Sequence, residues 1–226
     1  MRLNPHLSFD GAYEEAFRFY QECFGGEPSA STPGRLDAPP PPGMTWLPAG
    51  RRLQLRPMTL YPLVLEMKKL LGHMNAWIDK AEAHAAGKDY DPNALLQARL
   101  APDMFPLVGQ FQNACDNAKF AAAFTAGKEP PSHPDVENSF TELRIRLVSV
   151  IEYLGTFTEA DFAGAETRVV KRPRWEGKSM RAVDYFLEQA QPNFFFHLTT
   201  AYALLRHNGV DLGKRDYIGR LSFRSS

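Results

Sequence analysis

One imidazole organises the chemistry this chain could do. His197 sits midway along the run from Pro192 to Gly209, whose apolar residues recur at helical spacing and which ends on a glycine. On the seam Val183, Leu187, Ala190, Phe194, His197, Ala201 and Leu204 it points inward. Burial would keep the ring neutral, with a pKa below the ordinary value of about 6.5, unless a carboxylate such as Asp116 pairs with it. Such an imidazole can act as a general base, as a hydrogen-bond partner for a substrate or as a metal ligand; it can equally be a core histidine satisfied by its neighbours. Asp116 and Lys119, three residues apart, either form an intrahelical ion pair or turn inward and mark a polar pocket.

The remaining reactive residue types carry less. Cys115 falls on an apolar helical face, where a thiol behaves as a small hydrophobe, and Cys23 lies in a separate part of the chain. That usage fits a reducing cytoplasm. His73 and His84 flank an apolar stripe, His133 lies in the loop segment Ser132-His133-Pro134, and His207 falls in the last turn of its helix. Gly213-Lys214 lacks the glycine spacing and the preceding strand of a phosphate loop. Phe194, Phe195 and Phe196 are adjacent, so they cannot share one helix face and read as packing.

The elements that must position these residues follow from pattern. Thr59 is a plausible N-cap with Pro62 in the first turn, and Leu60, Leu63, Val64, Met67, Leu70, Leu71, Met74, Trp77, Ile78 and Ala81 form one stripe to about Ala86. Asp91-Pro92 opens a short helix through Arg99. A second long helix turns Leu107, Phe111, Ala114, Ala118 and Ala121 inward and stops at Gly127. In the third, Val136, Phe140, Leu143, Leu147, Val150, Leu154 and Phe157 alternate steps of four and three, the period of helices packed in a bundle. Residues Thr167 to Arg172 alternate as half of a small hairpin closed by Trp175-Glu176-Gly177. The fourth helix starts near Ser179, with a kink expected where Pro192 removes the hydrogen bond to the Glu188 carbonyl. The predicted fold class is all-α: a four-helix bundle over residues 58–226, with a small irregular or hairpin crossover before the last helix.

The first 57 residues differ in character. Residues 1–26 read as one strand and one helix, a short βα appendage, and residues 27–57 as a linker rich in proline, including the run Pro39-Pro40-Pro41-Pro42. Across the whole chain 26 lysines and arginines balance 26 aspartates and glutamates, and the nearest basic cluster, Lys171-Arg172-Pro173-Arg174, is short. A nucleic-acid partner is therefore not expected. No apolar run approaches the roughly 20 residues a membrane span needs, and no apolar signal stretch opens the chain.

Two resemblances sharpen these expectations. Asn4-Pro5, Phe9-Asp10-Gly11, Glu15-Ala16, Phe19-Tyr20 and Phe24-Gly25-Gly26 resemble the opening of a PhnB-like glyoxalase/bleomycin-resistance module, though the later strands of that module do not follow. From Met58 to about Phe223 the chain resembles an uncharacterised bacterial family of the DinB/YfiT-like metalloenzyme superfamily. Arg99 to Leu107, Ala114 to Lys119, Pro192-Asn193-Phe194 with His197, and Thr200-Ala201-Tyr202 with Leu205-Arg206 and Gly209-Val210 carry that resemblance. It implies a bundle beginning near Met58, with the preceding residues an addition. It also implies a divalent zinc or nickel site built from three histidines, one on the second helix and a His-x-x-x-His pair opening the fourth. Here His197 takes the second position of the pair, Asn193 the first, and the second-helix position falls near Gln110. Amides are poor zinc or nickel ligands, so the resemblance implies a degenerate metal site and no bound cofactor. Asn193, Gln110 and Asp116 become the neighbours expected to satisfy His197. Some members of the superfamily are thiol-cofactor-dependent transferases or isomerases. The expected activity is thus small-molecule binding, or catalysis of that class. The alternatives are a non-enzymatic homodimeric scaffold or ligand-binding protein, and a remnant of a glyoxalase fusion.

Overall fold

The computed structural model describes residues 59–224. The glyoxalase-like reading of residues 1–26 and the linker reading of 27–57 lie outside the described residues. The long helices are α1 (Tyr61–Ala86), α2 (Leu107–Ala126) and α3 (Phe140–Gly155). A fourth, α4, joins a first turn Ala182–Asp184, a π-helical stretch Tyr185–Ala190 and the α-helix Gln191–His207. A short helix, α5, spans Lys214–Ile218. Between α3 and α4 the strands β1 (Val169–Lys171) and β2 (Ser179–Arg181) pair antiparallel, with Val170 opposite Met180. The crossover expected before the last helix is this hairpin.

Helix α2 is central, packing against α1, α3 and α4. Its composition allows this: Ala114, Ala118, Ala121, Ala122 and Ala123 are all buried, and such small side chains let neighbouring helices approach from several sides. Around it close Val64, Met67, Leu71, Met74 and Ile78 of α1, Leu143, Leu147, Val150 and Leu154 of α3, and Phe186, Phe194, Leu198 and Leu205 of α4. Gly127 ends α2 in the left-handed conformation (φ 69°), a geometry that a Cβ disfavours. α5 is tied to α1, where the Trp77 indole donates to the Asp216 carbonyl (3.1 Å) and His73 Nδ1–H to that of Tyr217 (3.0 Å).

Local boundaries differ from expectation at five places. Thr59 does not cap α1, which begins after Leu60 without a side-chain cap. The segment after Asp91 is a 3-10 helix ending at Gln97, with the Asp91 carboxylate accepting from the Asn93 backbone (2.9 Å). Val136 is exposed, because α3 begins only at Phe140, after the N-cap Ser139, whose hydroxyl and Glu142 cap each other's backbone. Ser179 is paired with Lys171 in the hairpin and cannot open α4. Finally, Leu187 is 41% exposed and Val183 only half-buried; Ala182, Tyr185 and Phe186 face the core instead. Proline explains the last difference. Pro192 has no N–H for the Glu188 carbonyl, and where a kink is expected the chain widens into i→i+5 turns over Tyr185–Ala190. That inserts one residue, so the buried series runs Ala182, Phe186, Ala190, Phe194 in steps of four. The predicted steps of three and four resume at His197, Ala201 and Leu204, all buried.

Candidate functional site

His197 is inward-facing, keeping 7% of its surface accessible. Its Nδ1 lies 2.8 Å from Gln110 Oε1 across the α2–α4 contact. The Gln110 amide nitrogen donates to the Phe105 carbonyl at 2.9 Å, so Oε1 is an acceptor and the imidazole carries its proton on Nδ1. The lone pair is thereby assigned to Nε2. Burial pushes the His197 pKa below its ordinary value, which keeps that nitrogen unprotonated at neutral pH. Two aromatic rings flank the imidazole: Phe196 edge-on at 5.2 Å and Phe105 tilted at 6.5 Å between centroids. Both are more than half exposed, at 53% and 59%. Gly109 lets Phe105 fold in this way, since a Cβ there would stand 3.1 Å from the Phe105 Cβ.

The other expected neighbours lie elsewhere. Asn193 turns its amide back to the Gln189 carbonyl of its own helix (2.8 Å). Asp116 pairs with Lys119 and Arg146, each at 2.8 Å, not with His197. The reason is helical phase: six residues beyond Gln110 is about 240° around α2, which turns Asp116 towards α3.

There it joins a charged cluster that pattern reading does not reveal. Arg146 of α3, 2% exposed, contacts Asp116, Glu137 (3.0 Å) and Asp135 (2.9 Å), and Gln112 donates to Glu137 at 2.9 Å. Burial would raise the Glu137 pKa, but the hydrogen bonds from Gln112 and Arg146 hold it below the usual carboxylate value. Lys119 is buried and its ammonium also donates to His133 Nδ1 (3.1 Å). His133 therefore carries its proton on Nε2 and donates it to Ser149 Oγ at 3.0 Å. A base whose proton already points at the hydroxyl cannot deprotonate it, so Ser149 and His133 do not form a nucleophile–base pair. Burial, then Lys119 and Arg146, lower the His133 pKa. Cys115, beside these charges, is pushed up to about 12 by burial and is no nucleophile.

The donor set does not fit the metal site that the superfamily implies. Gln110 and His197 are engaged directly with each other and Asn193 with its own helix, leaving one imidazole and two amides. Among the described residues, no group of three or more histidine, cysteine, aspartate or glutamate side chains is placed to hold an ion. Two surface cavities lie away from His197, one at Trp175 and one between Leu60 and Phe162. No helix among the described residues is long and apolar enough to cross a membrane.

Comparison with known proteins agrees with the bundle. The model of a family described as "Domain of unknown function (DUF1993)" matches residues 60–218. The crystal structure of a DinB family member protein from Shewanella denitrificans is similar over 74% of this chain and 96% of its own, with 46% identity and a TM-score of 0.72. No curated protein matches. The family match begins at residue 60 and gives no support to the glyoxalase-like resemblance of residues 1–26.

Proposed function

Because the chain belongs to the DUF1993 family of DinB-like proteins, whose description assigns no activity, we propose that it is a small-molecule-binding bundle reading its ligand through His197. The observation that carries this reading is the fixed tautomer: Gln110 accepts from Nδ1 and leaves the Nε2 lone pair for an incoming donor. Phe105 and Phe196 supply apolar surface for the rest of a small ligand. A donor that is also acidic, such as a thiol, would give up its proton to Nε2, the first step expected of a thiol-dependent transferase or isomerase. This chemistry uses no tightly held zinc or nickel, in keeping with the two amides at ligand positions. Recovery of stoichiometric metal by elemental analysis would overturn that part.

The test is nitrogen NMR of the histidine-labelled protein, free and with benzyl mercaptan as probe. The proposal expects a protonated Nδ1 and an unprotonated Nε2 in the free protein, with Nε2 perturbed by the thiol. His197→Leu should remain folded and lose the response. A ring titrating freely near the ordinary histidine value, or one protonated on Nε2, would sink the reading.

A second reading, a non-enzymatic homodimer, is favoured by one feature: the exposed rings of Phe105 and Phe196 beside a nearly closed imidazole. A second copy covering them would bury both. Light scattering of the native protein and of Phe105→Ser with Phe196→Ser separates the two, since only the scaffold predicts a dimer that dissociates.

A further inference from the structure

The chain as a whole is electrically balanced, yet residues 168–181 hold six cations, Arg168, Lys171, Arg172, Arg174, Lys178 and Arg181, against the single carboxylate of Glu176. Three of these are committed internally. Arg168 donates to the carbonyls of Thr125 and Ala163. Arg172 lies over the rings of Phe124 and Phe120, at 4.4 and 4.8 Å from their centroids. Arg181 is forked onto Asp184 at 2.6 and 2.8 Å. The side chains of Lys171, Arg174 and Lys178 have no hydrogen-bond or ion-pair acceptor among the described residues.

The hairpin turn converges the last two on one cavity. A 3-10 turn over Pro173–Trp175 is followed by Glu176 and Gly177, both left-handed at φ 51° and 85°, and the Lys178 N–H closes back on the Trp175 carbonyl at 2.9 Å. Glutamate rarely adopts that conformation, so the turn is held by its surroundings. The result is a surface cavity of about 460 Å³ lined by Arg174, Trp175, Glu176, Lys178, Ser179 and Met180. The Trp175 ring is braced edge-on by Tyr185, 5.9 Å between centroids, which makes it a fixed wall.

We propose that this cavity binds a small organic anion, a phosphate or carboxylate carried on a flat ring, with the anion between Arg174 and Lys178 and the ring against Trp175. Two cations and one carboxylate leave the lining short of a negative charge, which a bound oxyanion supplies through charge-assisted hydrogen bonds. The Ser179 hydroxyl adds a neutral donor, and Trp175 and Met180 supply apolar surface for the ring. The site is independent of His197: the hairpin rests on Phe120 and Phe124 in the later turns of α2, whereas Gln110 lies in its first turn.

The experiment is calorimetric titration of the full-length protein with phenyl phosphate, benzoate, inorganic phosphate and phenol at fixed ionic strength. Phenyl phosphate and benzoate should each bind more tightly than inorganic phosphate and phenol, and more weakly as salt is raised. The exposed Arg174→Ala with Lys178→Ala should retain the native circular dichroism and weaken phenyl phosphate by at least about tenfold. Trp175→Leu should remove the advantage of the ring and leave inorganic phosphate unchanged. His197→Leu should bind as the native protein does. Absence of saturable binding by either ring-bearing anion, unchanged affinity in the double variant, or inorganic phosphate binding as tightly as phenyl phosphate would each overturn the proposal.

Discussion

The face of α2 that meets α4 and the face that meets α3 both bury polar side chains, but they satisfy them by opposite means. Towards α4 the chain His197, Gln110 and the Phe105 carbonyl is neutral throughout, each donor meeting one acceptor. Towards α3, Arg146 and Lys119 meet Asp116, Glu137 and Asp135, with His133 and Gln112 completing the contacts. The neutral chain leaves one nitrogen lone pair uncommitted. The charged cluster commits His133 on both nitrogens, Lys119 to two partners and Arg146 to three carboxylates. The proposed function draws on the first, and the second serves cohesion. A buried Arg146 Nε without an acceptor shows that even the cohesive cluster is not fully satisfied.

The largest expected effect comes from breaking the charged side. Arg146→Ala leaves Glu137 and Asp116 without their main counter-charge, and removal of one partner of a buried pair costs about 3–5 kcal/mol. Because Asp116 and Asp135 keep contact with water, the lower end of that range is expected; urea unfolding measures it. A loss below about 1 kcal/mol, the value typical of surface pairs, would show that the cluster is solvated.

On the neutral side the expectation differs in kind. His197→Leu strands the Gln110 oxygen, at a cost of about 1–3 kcal/mol, whereas His197→Leu with Gln110→Leu should recover most of that loss, because both partners are then apolar. Full additivity of the two substitutions would break the comparison, since it would mean that the hydrogen bond contributes nothing.

Acid probes both sides together. The folded pKa values of His197 and His133 are lowered, so each unfolded ring takes up its proton first. Their contribution to stability is fully present above the ordinary value of about 6.5 and is lost as pH falls from there through the folded values. Thermal unfolding across this range should show declining stability, and His197→Leu should remove its own share of the slope. A slope unchanged in that variant would place the whole effect elsewhere. The smallest effect concerns Cys115: the guanidinium and ammonium nearby favour a thiolate, yet burial dominates. Alkylation, followed by peptide mass spectrometry, should reach Cys115 only as fast as the protein opens.

The sequence pattern makes the α1 and α2 stripes, the hairpin and the inward seam from Ala190 onward legible, because periodicity reports which face is apolar. Family resemblance supplied Gln110 as a neighbour of His197. The partners of Arg146 are not legible in the same way, because Asp135 and Glu137 come from a loop and Asp116 from another helix. Arginine beside Leu147 on a helix flank otherwise reads as solvated. Asp116 was a natural candidate for His197 by residue type, but its phase on α2 sends it to the other face. Register at the start of α4 is hidden too, since a hydrophobic pattern read at 3.6 residues per turn cannot announce a stretch wound more loosely.

That loosely wound stretch acts as a phase adjuster between two halves of the molecule. One surplus residue over Tyr185–Ala190 amounts to a rotation of about 100° in an ordinary helix, absorbed within six residues. The β1–β2 hairpin before it, whose Trp175 packs on Tyr185 at its first position, is set in angle against everything after it, including His197. Rewinding the same residues as ordinary α-helix would return Val183 and Leu187 to the core and carry the hairpin round the helix axis. The imidazole and the basic turn thus keep their relative bearing through the winding of one helix together with the hold of Arg168 and Arg172 on α2.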